Sequence, residues 1–154
     1  MGRREDLLRR EAEAWGRIDG VVESLSAAEL VLSGYTVEGW SMKDMMAHVA
    51  AWSNVAAGTL REISAGTWGG HHVSDEPGGT DRLNAEWFER DRELDVDTVR
   101  SEWHASRTRM LEAFGALYEA TSDADEWFEE SGPTHYAEHQ ADLERWVTRM
   151  RSER

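Results

Sequence analysis

The 154-residue sequence contains no cysteine. This absence excludes thiolate catalysis, disulfide bonds and cysteine-type zinc sites, and it is natural for a protein of the reducing cytoplasm. No apolar run approaches the roughly 18 to 20 residues that a membrane span needs, and no signal-peptide core follows the charged N-terminal segment. We therefore expect a cytoplasmic protein that does not cross a membrane.

Basic residues are scarce, and Lys43 is the only lysine. The 31 acidic residues outnumber the 17 basic ones and give a formal charge of −14, a field that repels nucleic acid and anionic lipid. A lysine at the predicted start of a helix is a poor candidate for Schiff-base chemistry. We expect a small-molecule ligand rather than nucleic acid or a membrane, and a homodimer stays open as the oligomeric state.

The spacing of apolar residues predicts an all-helical fold. The length of the chain suits one domain over residues 1–154, which is large enough to bury a core without metals or disulfides. Apolar residues recur at helical spacing in four long segments, at about 3–25, 41–66, 95–119 and 133–151, and a shorter one at 81–93. Residues 65–80 are rich in glycine and indicate a long loop after the second long helix. The prediction is a four-helix bundle.

Several helix ends carry recognisable signals. Ser41 followed by Asp44 fits a capping box, and Asp95 is the expected N-cap of the third long helix. Pro133 stands where the first turn of the last helix is expected, a position at which its missing N–H costs nothing. Gly115, inside the predicted third long helix, is a candidate for a close contact between helices.

Two histidines stand four residues apart in the last helix, His135 and His139. This spacing places both rings on one helix face, so both can reach one point. A catalytic metal needs a third protein ligand and an open position, and His48 on the second long helix is the candidate. The hypothesis is a three-histidine metal site, and it requires that the two helices share an end. Imidazole suits zinc, nickel, iron and copper alike, so the metal is open.

The ordinary interpretation is that these histidines are hydrogen-bonded core residues. His104 illustrates it, because it stands off the apolar stripe and has no partner at helical spacing. Adjacent histidines in the glycine-rich loop, His71 and His72, are more often solvated than bound to metal. If a metal is bound, each ring should donate its second N–H to a nearby acceptor. The candidates by spacing are Asp44, Glu138 and Asp142.

The order of these motifs resembles the DinB/YfiT-like superfamily of four-helix bundle proteins. The resemblance lies in Trp40-Ser41, Asp44, His48 and Trp52, followed late in the chain by His135 and His139. The superfamily includes the N-terminal domain of mycothiol-dependent maleylpyruvate isomerases and the ClbS/DfsB self-protection proteins. Residues 83–90 and 94–111 look most like the ClbS/DfsB branch.

The resemblance implies a divalent metal, zinc or nickel, on His48, His135 and His139, with a low-molecular-weight thiol such as mycothiol as a further cofactor. The activity it implies is thiol transfer, isomerisation or hydrolysis of an electrophilic small molecule, in detoxification or self-resistance, by a hydrolase or thiol S-transferase whose catalytic residues are unknown. The alternative is a non-catalytic protein of the ClbS/DfsB type that sequesters a small molecule. The third interpretation is a helical bundle whose histidines have only a structural role.

Tryptophan is abundant, with eight in the chain. Tryptophan fills cores, but it also lines ligand pockets, because it is large and flat and carries one polar N–H. The candidate walls of a substrate pocket are Trp40, Trp52, Asn84, Trp87 and Trp103.

Overall fold

The computed structural model describes residues 2–36 and 38–153, and within these residues every regular element is helical. Four long helices form the body of the fold: α1 Arg3–Glu23, α3 Met42–Ala65, α5 Val96–Gly115 and α7 Pro133–Ser152. Three shorter helices, α2 Ala27–Leu30, α4 Gly79–Asp91 and α6 Ser122–Ser131, and one 3-10 turn, Val73–Asp75, connect them. The prediction of an all-helical bundle with a long loop before α4 is confirmed.

The predicted helix starts are present. Ser41 and Asp44 form a reciprocal capping box at α3, in which the Ser41 N–H donates to Asp44 Oδ2 at 2.8 Å. Asp95 accepts from the Thr98 N–H at 2.7 Å and starts α5, and Pro133 occupies the first turn of α7. The first turn of a helix leaves backbone N–H groups without a partner. Ser41 and Asp95 accept hydrogen bonds from such groups, and Pro133 has no N–H to satisfy. Local sequence therefore sets where α3 and α7 begin.

The end of α5 differs from the prediction. The helix stops at Gly115 rather than near residue 119, and at this end Arg4 of α1 donates to the carbonyls of Phe114 at 2.6 Å and Leu117 at 3.0 Å. A cation on the last free carbonyls favours termination of a helix. The expectation of a close helix contact at Gly115 is also wrong, since a Cβ added there would meet no atom within 4 Å.

The core forms where the long helices pack in pairs. Helix α3 packs mainly against α5, helix α1 packs against α7, and α6 contacts α1, α3 and α7 across one end of the bundle. Aromatic rings fill the centre: Trp15 lies 4.6 Å from Trp103 between ring centroids, and Phe114 stacks on Phe128 at 4.0 Å. Among the described residues, no helix is both long enough and apolar enough to cross a membrane.

A buried ion pair links three of the long helices. Glu11 of α1 is 0% exposed, and both its oxygens accept from Arg107 of α5, at 2.8 and 2.7 Å. The Tyr136 hydroxyl of α7 donates to the same carboxylate at 3.0 Å. Because a buried charge is tolerated only when it is paired, this network fixes α1, α5 and the first turns of α7 relative to one another.

Replacing Arg107 by methionine should destabilise the fold strongly. The substitution leaves a fully buried carboxylate whose remaining side-chain partner is Tyr136, and we expect a loss of about 3 to 5 kcal/mol in the free energy of unfolding, measured by urea denaturation. Arg9→Met, which breaks exposed pairs with Asp6 and Glu13, is the matched control and should leave the free energy of unfolding nearly unchanged. Equal losses in the two variants would contradict a structural role for the buried pair.

Candidate metal centre

Three histidine rings meet at the shared end of α3 and α7. His48 lies in the second turn of α3, and His135 and His139 lie in the first two turns of α7. The Nε2 atom of His135 is 3.1 Å from that of His48 and 3.1 Å from that of His139. The candidate ligand atoms of all three lie within 4.8 Å of one another. The structure thus brings together the three residues that the sequence singled out, and the two helices share an end as the hypothesis requires.

The spacing of these nitrogens suits one divalent ion. Bonds of 2.0 to 2.1 Å to imidazole place neighbouring nitrogens about 3.3 Å apart around a tetrahedral ion and about 2.9 Å apart around an octahedral one. The observed 3.1 Å separations fall between these values. Hydrogen bonds among the rings satisfy the cluster poorly, because a neutral imidazole has one N–H and one lone pair. An ion that accepts one lone pair from each ring would satisfy the three Nε2 atoms together.

Burial keeps the rings uncharged. His135 is buried, and His48 and His139 are half-buried. Burial, reinforced by the neighbouring His139, lowers the pKa of His48 to about 3, and the same two effects together with His48 hold the pKa of His135 well below its usual value. Burial also lowers the pKa of His139, against the opposing charge of Asp142. All three are therefore neutral near pH 7, which is the form that binds a metal.

Tyr35 contacts both the ring and the backbone of His139. Its hydroxyl is 3.1 Å from His139 Nδ1 and donates to the His139 carbonyl oxygen at 3.3 Å. In the tautomer that binds a metal through Nε2, the Nδ1–H of His139 donates to the hydroxyl oxygen, and the Nε2 lone pair faces the other two rings. Sequence spacing missed Tyr35, because this residue comes from the turn-rich segment before α3, far from α7 in the chain.

The acceptors proposed from spacing do not hold the rings. The Asp44 carboxylate is occupied by the Ser41 N–H and hydroxyl, at 2.8 and 3.0 Å. Asp142 acts on His139 only through its charge, and no hydrogen bond joins Glu138 to a ring within the described residues. His48 Nδ1 is buried without a hydrogen-bond partner among the described residues. Within the part of the chain that the structure describes, His139 is the ring of the three whose second nitrogen contacts a side chain.

A cavity of about 620 Å³ opens beside the three histidines. Two of the proposed pocket residues, Trp52 and Asn84, line it, and the Trp52 indole N–H donates to Asn84 Oδ1 at 2.8 Å. Trp40 and Trp87 instead line a small crevice of about 10 Å³ on the other side of His48, where Trp40 stacks on Phe88 at 5.2 Å.

The placement of Trp103 in a pocket wall is corrected by the structure. Its side chain is 1% exposed, lies against Trp15 and donates its indole N–H to Asp19 at 2.9 Å. The position follows from the apolar stripe of α5, which faces the core along its whole length. Trp103 is therefore a core residue.

The loop at residues 66–78 forms a wall of the cavity. Trp68 lines it and donates its indole N–H to Asp123 of α6 at 3.3 Å, and its ring meets Trp127 edge-on at 6.1 Å. Helix α6 also lines the cavity, through Trp127. Sequence reasoning missed both tryptophans, because the contact between the loop and α6 joins segments about 55 residues apart.

The remaining histidines lie outside the three-histidine group. The His71 side chain is 60% exposed, and His72 caps the 3-10 turn, its Nδ1 accepting from the Ser74 N–H at 3.1 Å. His104 finds partners on another helix, since its Nε2 is 3.4 Å from Glu23 and 3.9 Å from Asp19 of α1. Those side chains could also hold an ion, but such exposed groups are common without one.

Residues 12–141 match the family model described as the mycothiol maleylpyruvate isomerase N-terminal domain. The chain belongs to this family. The match spans all three histidines, and the family is part of the DinB/YfiT-like helical superfamily, which confirms the resemblance drawn from the motifs. The family assignment does not separate out the ClbS/DfsB branch, so that part stays a prediction. No curated protein and no solved structure matches the chain.

Removing the Tyr35 hydroxyl should weaken metal binding without unfolding the protein. Tyr35→Phe leaves His139 Nδ1 without this partner, and loss of such an orienting hydrogen bond typically lowers metal affinity about 10- to 100-fold. Competition between the protein and a zinc-sensitive chelating dye measures the effect. Tyr118→Phe, at a side chain 97% exposed, is the control and should leave the affinity unchanged. Equal zinc affinity in wild type and Tyr35→Phe would remove Tyr35 from the site.

Proposed function

We propose that this protein is a divalent-metal-dependent enzyme that acts on an electrophilic small molecule. His48, His135 and His139 would hold the ion, zinc or nickel, at the wall of the cavity. The observation that supports this most directly is the convergence of three neutral ring nitrogens, 3.1 Å apart in two pairs, on one point beside a space large enough for a substrate. Membership of a family named for a mycothiol-dependent isomerase supports it independently.

The ion would supply Lewis acidity, which activates water or a thiol at neutral pH. The chain's own groups prepare the site. Tyr35 would accept a hydrogen bond from the Nδ1–H of His139, which leaves the Nε2 lone pair available to the ion. Trp52, Trp68 and Trp127 line the cavity, reduce its water content and offer flat surfaces on which a substrate can pack.

A thiol in this reaction has to come from solution, because the chain has no cysteine. The family description names mycothiol, and a low-molecular-weight thiol of that kind is our proposed cosubstrate. Transfer of such a thiol to an electrophile, isomerisation through a thiol adduct and hydrolysis are the reaction types that we propose. Detoxification or self-resistance in the cytoplasm is the corresponding role.

A sequestering protein is the second candidate. The cavity has three tryptophan walls and Asn84, whose amide oxygen already accepts from Trp52. Aromatic walls of this kind can retain a flat molecule without any metal. This candidate predicts ligand binding that does not depend on the histidines.

Metal analysis of the untagged protein and of His139→Ala tests the proposal. We expect about one zinc or nickel ion per chain in the wild type and nearly none in the variant, since two histidines bind a first-row metal weakly. The metal-loaded wild type should transfer a low-molecular-weight thiol to a model electrophile such as an activated chloroarene, and His139→Ala should not. Circular dichroism verifies that the variant is folded.

His104→Ala is the matched control, because it removes an exposed histidine beside carboxylates far from the cavity. The control should keep both metal and turnover. Metal content that survives in His139→Ala but falls in His104→Ala would contradict the assignment. Ligand retention by metal-free protein without any turnover would favour the sequestering protein.

A further inference from the structure

The wall of the cavity carries charge of one sign. Five carboxylate side chains line it, and no arginine or lysine does so among the described residues. The five are Asp75 of the loop, Asp123, Glu126 and Glu130 of α6, and Glu138 of α7. Their side chains are exposed, so they face the solvent path into the cavity. A ligand that enters passes a surface with five negative charges.

The acidity of the whole chain does not account for this pattern, because arginine neutralises other carboxylates of the same helix. Glu129 of α6 accepts from Arg10 at 2.7 Å and from Arg3 at 3.2 Å. Glu126 lies about one turn before Glu129, and Glu130 follows it directly. Among the described residues, no arginine or lysine nitrogen lies within 4.0 Å of either carboxylate. The arginines are thus placed on the side of α6 that faces α1, and the cavity side is left without them.

The cavity carboxylates act on one another. Partial desolvation raises the pKa of Glu130, and the charges of Glu126, Glu129, Glu138 and Asp75 raise it further. A carboxyl group surrounded by like charges gains from the arrival of a cation. The carboxylates of the lining therefore favour the binding of a positively charged ligand.

The tryptophans favour the same class of ligand. Trp68 and Trp127 meet edge-on across the cavity wall, and Trp52 lies on the α3 side. The face of an indole ring attracts an ammonium group, most strongly where carboxylates are near and water is partly excluded. A divalent ion on the three neutral histidines would add two positive charges to a lining with five carboxylates, so the metal-loaded cavity would keep a negative formal charge.

We propose that the cavity selects small molecules that carry a positively charged amine or quaternary ammonium group and excludes anionic ones. The cationic group lies between the tryptophans and the carboxylates of α6, and the reactive part of the molecule reaches the three histidines. This inference rests on the proposed function, since it names the substrate class of that site. A dicarboxylate substrate does not fit a lining of this charge.

Binding of three probes of similar size tests the charge selection. Isothermal titration calorimetry compares benzyltrimethylammonium, benzyl alcohol and phenylacetate on metal-free and zinc-loaded protein. We expect the ammonium probe to bind at least about tenfold more tightly than phenylacetate, with benzyl alcohol between them. The preference should shrink at about 0.5 M salt, because salt screens exposed charges.

Two double variants locate the selecting charges. Glu126→Gln with Glu130→Gln removes two cavity carboxylates and should reduce the preference to about threefold or less. Glu89→Gln with Glu93→Gln changes the net charge equally, but its side chains are 68% and 90% exposed and lie outside the cavity. This control should keep the wild-type preference.

The inference is overturned by no measurable binding of the ammonium probe, by equal or tighter binding of phenylacetate, or by equal effects of the two double variants. A zinc titration on the same samples keeps the two proposals apart. Zinc binding without ammonium preference defeats the substrate class and leaves the metal site standing. Ammonium preference without zinc binding defeats the metal enzyme and upholds the charge selection.

Discussion

The meeting of three imidazole rings at the shared end of α3 and α7 is the interaction on which the proposed function of this molecule depends. The two helices that carry the rings are held chiefly by other helices, since α3 packs mainly against α5 and α7 mainly against α1. The buried Glu11–Arg107–Tyr136 network joins α1, α5 and α7 directly beside His135. The network therefore holds the first turns of α7, which carry His135, against α1 and α5, and α5 is the helix on which α3 and His48 pack.

The histidine cluster is better suited to holding a ligand than to stabilising the fold. Three neutral rings face one another through nitrogens that cannot all be hydrogen-bonded, and His48 Nδ1 is buried without a partner among the described residues. Clusters of polar groups that lower the local stability and lie next to a cavity are typical of functional sites. Helix α6 and the loop at residues 66–78 line the cavity with tryptophan rings and carboxylates. These two segments therefore determine most of the charge of the cavity wall.

Local chemistry explains what the sequence predicted well. Helical spacing placed His135 and His139 on one face, and capping residues marked where α3 and α5 begin, because both depend on residues a few positions apart. The motif order identified the superfamily and with it the pairing of His48 with α7. The errors came from contacts between distant segments. Arg4 of α1 contacts the end of α5, and Tyr35 rather than a nearby carboxylate holds His139.

The pocket shows the same limit. Trp52 and Trp103 both stand on apolar faces of long helices, and spacing alone does not separate a cavity wall from a core position. Trp68 and Trp127 line the cavity because a long loop folds back onto α6, and helical periodicity carries no information on that contact. The charge of the lining likewise emerges only when the loop, α6 and α7 are placed together.

X-ray absorption spectroscopy of the zinc-loaded protein tests the central claim most directly, because it reports the ligands of the ion without requiring a known substrate. The account predicts a spectrum fitted by three imidazole nitrogens at about 2.0 to 2.1 Å, with one of the three lost in His135→Ala. A zinc environment with fewer than two imidazoles, or one that is unchanged in His135→Ala, would contradict it.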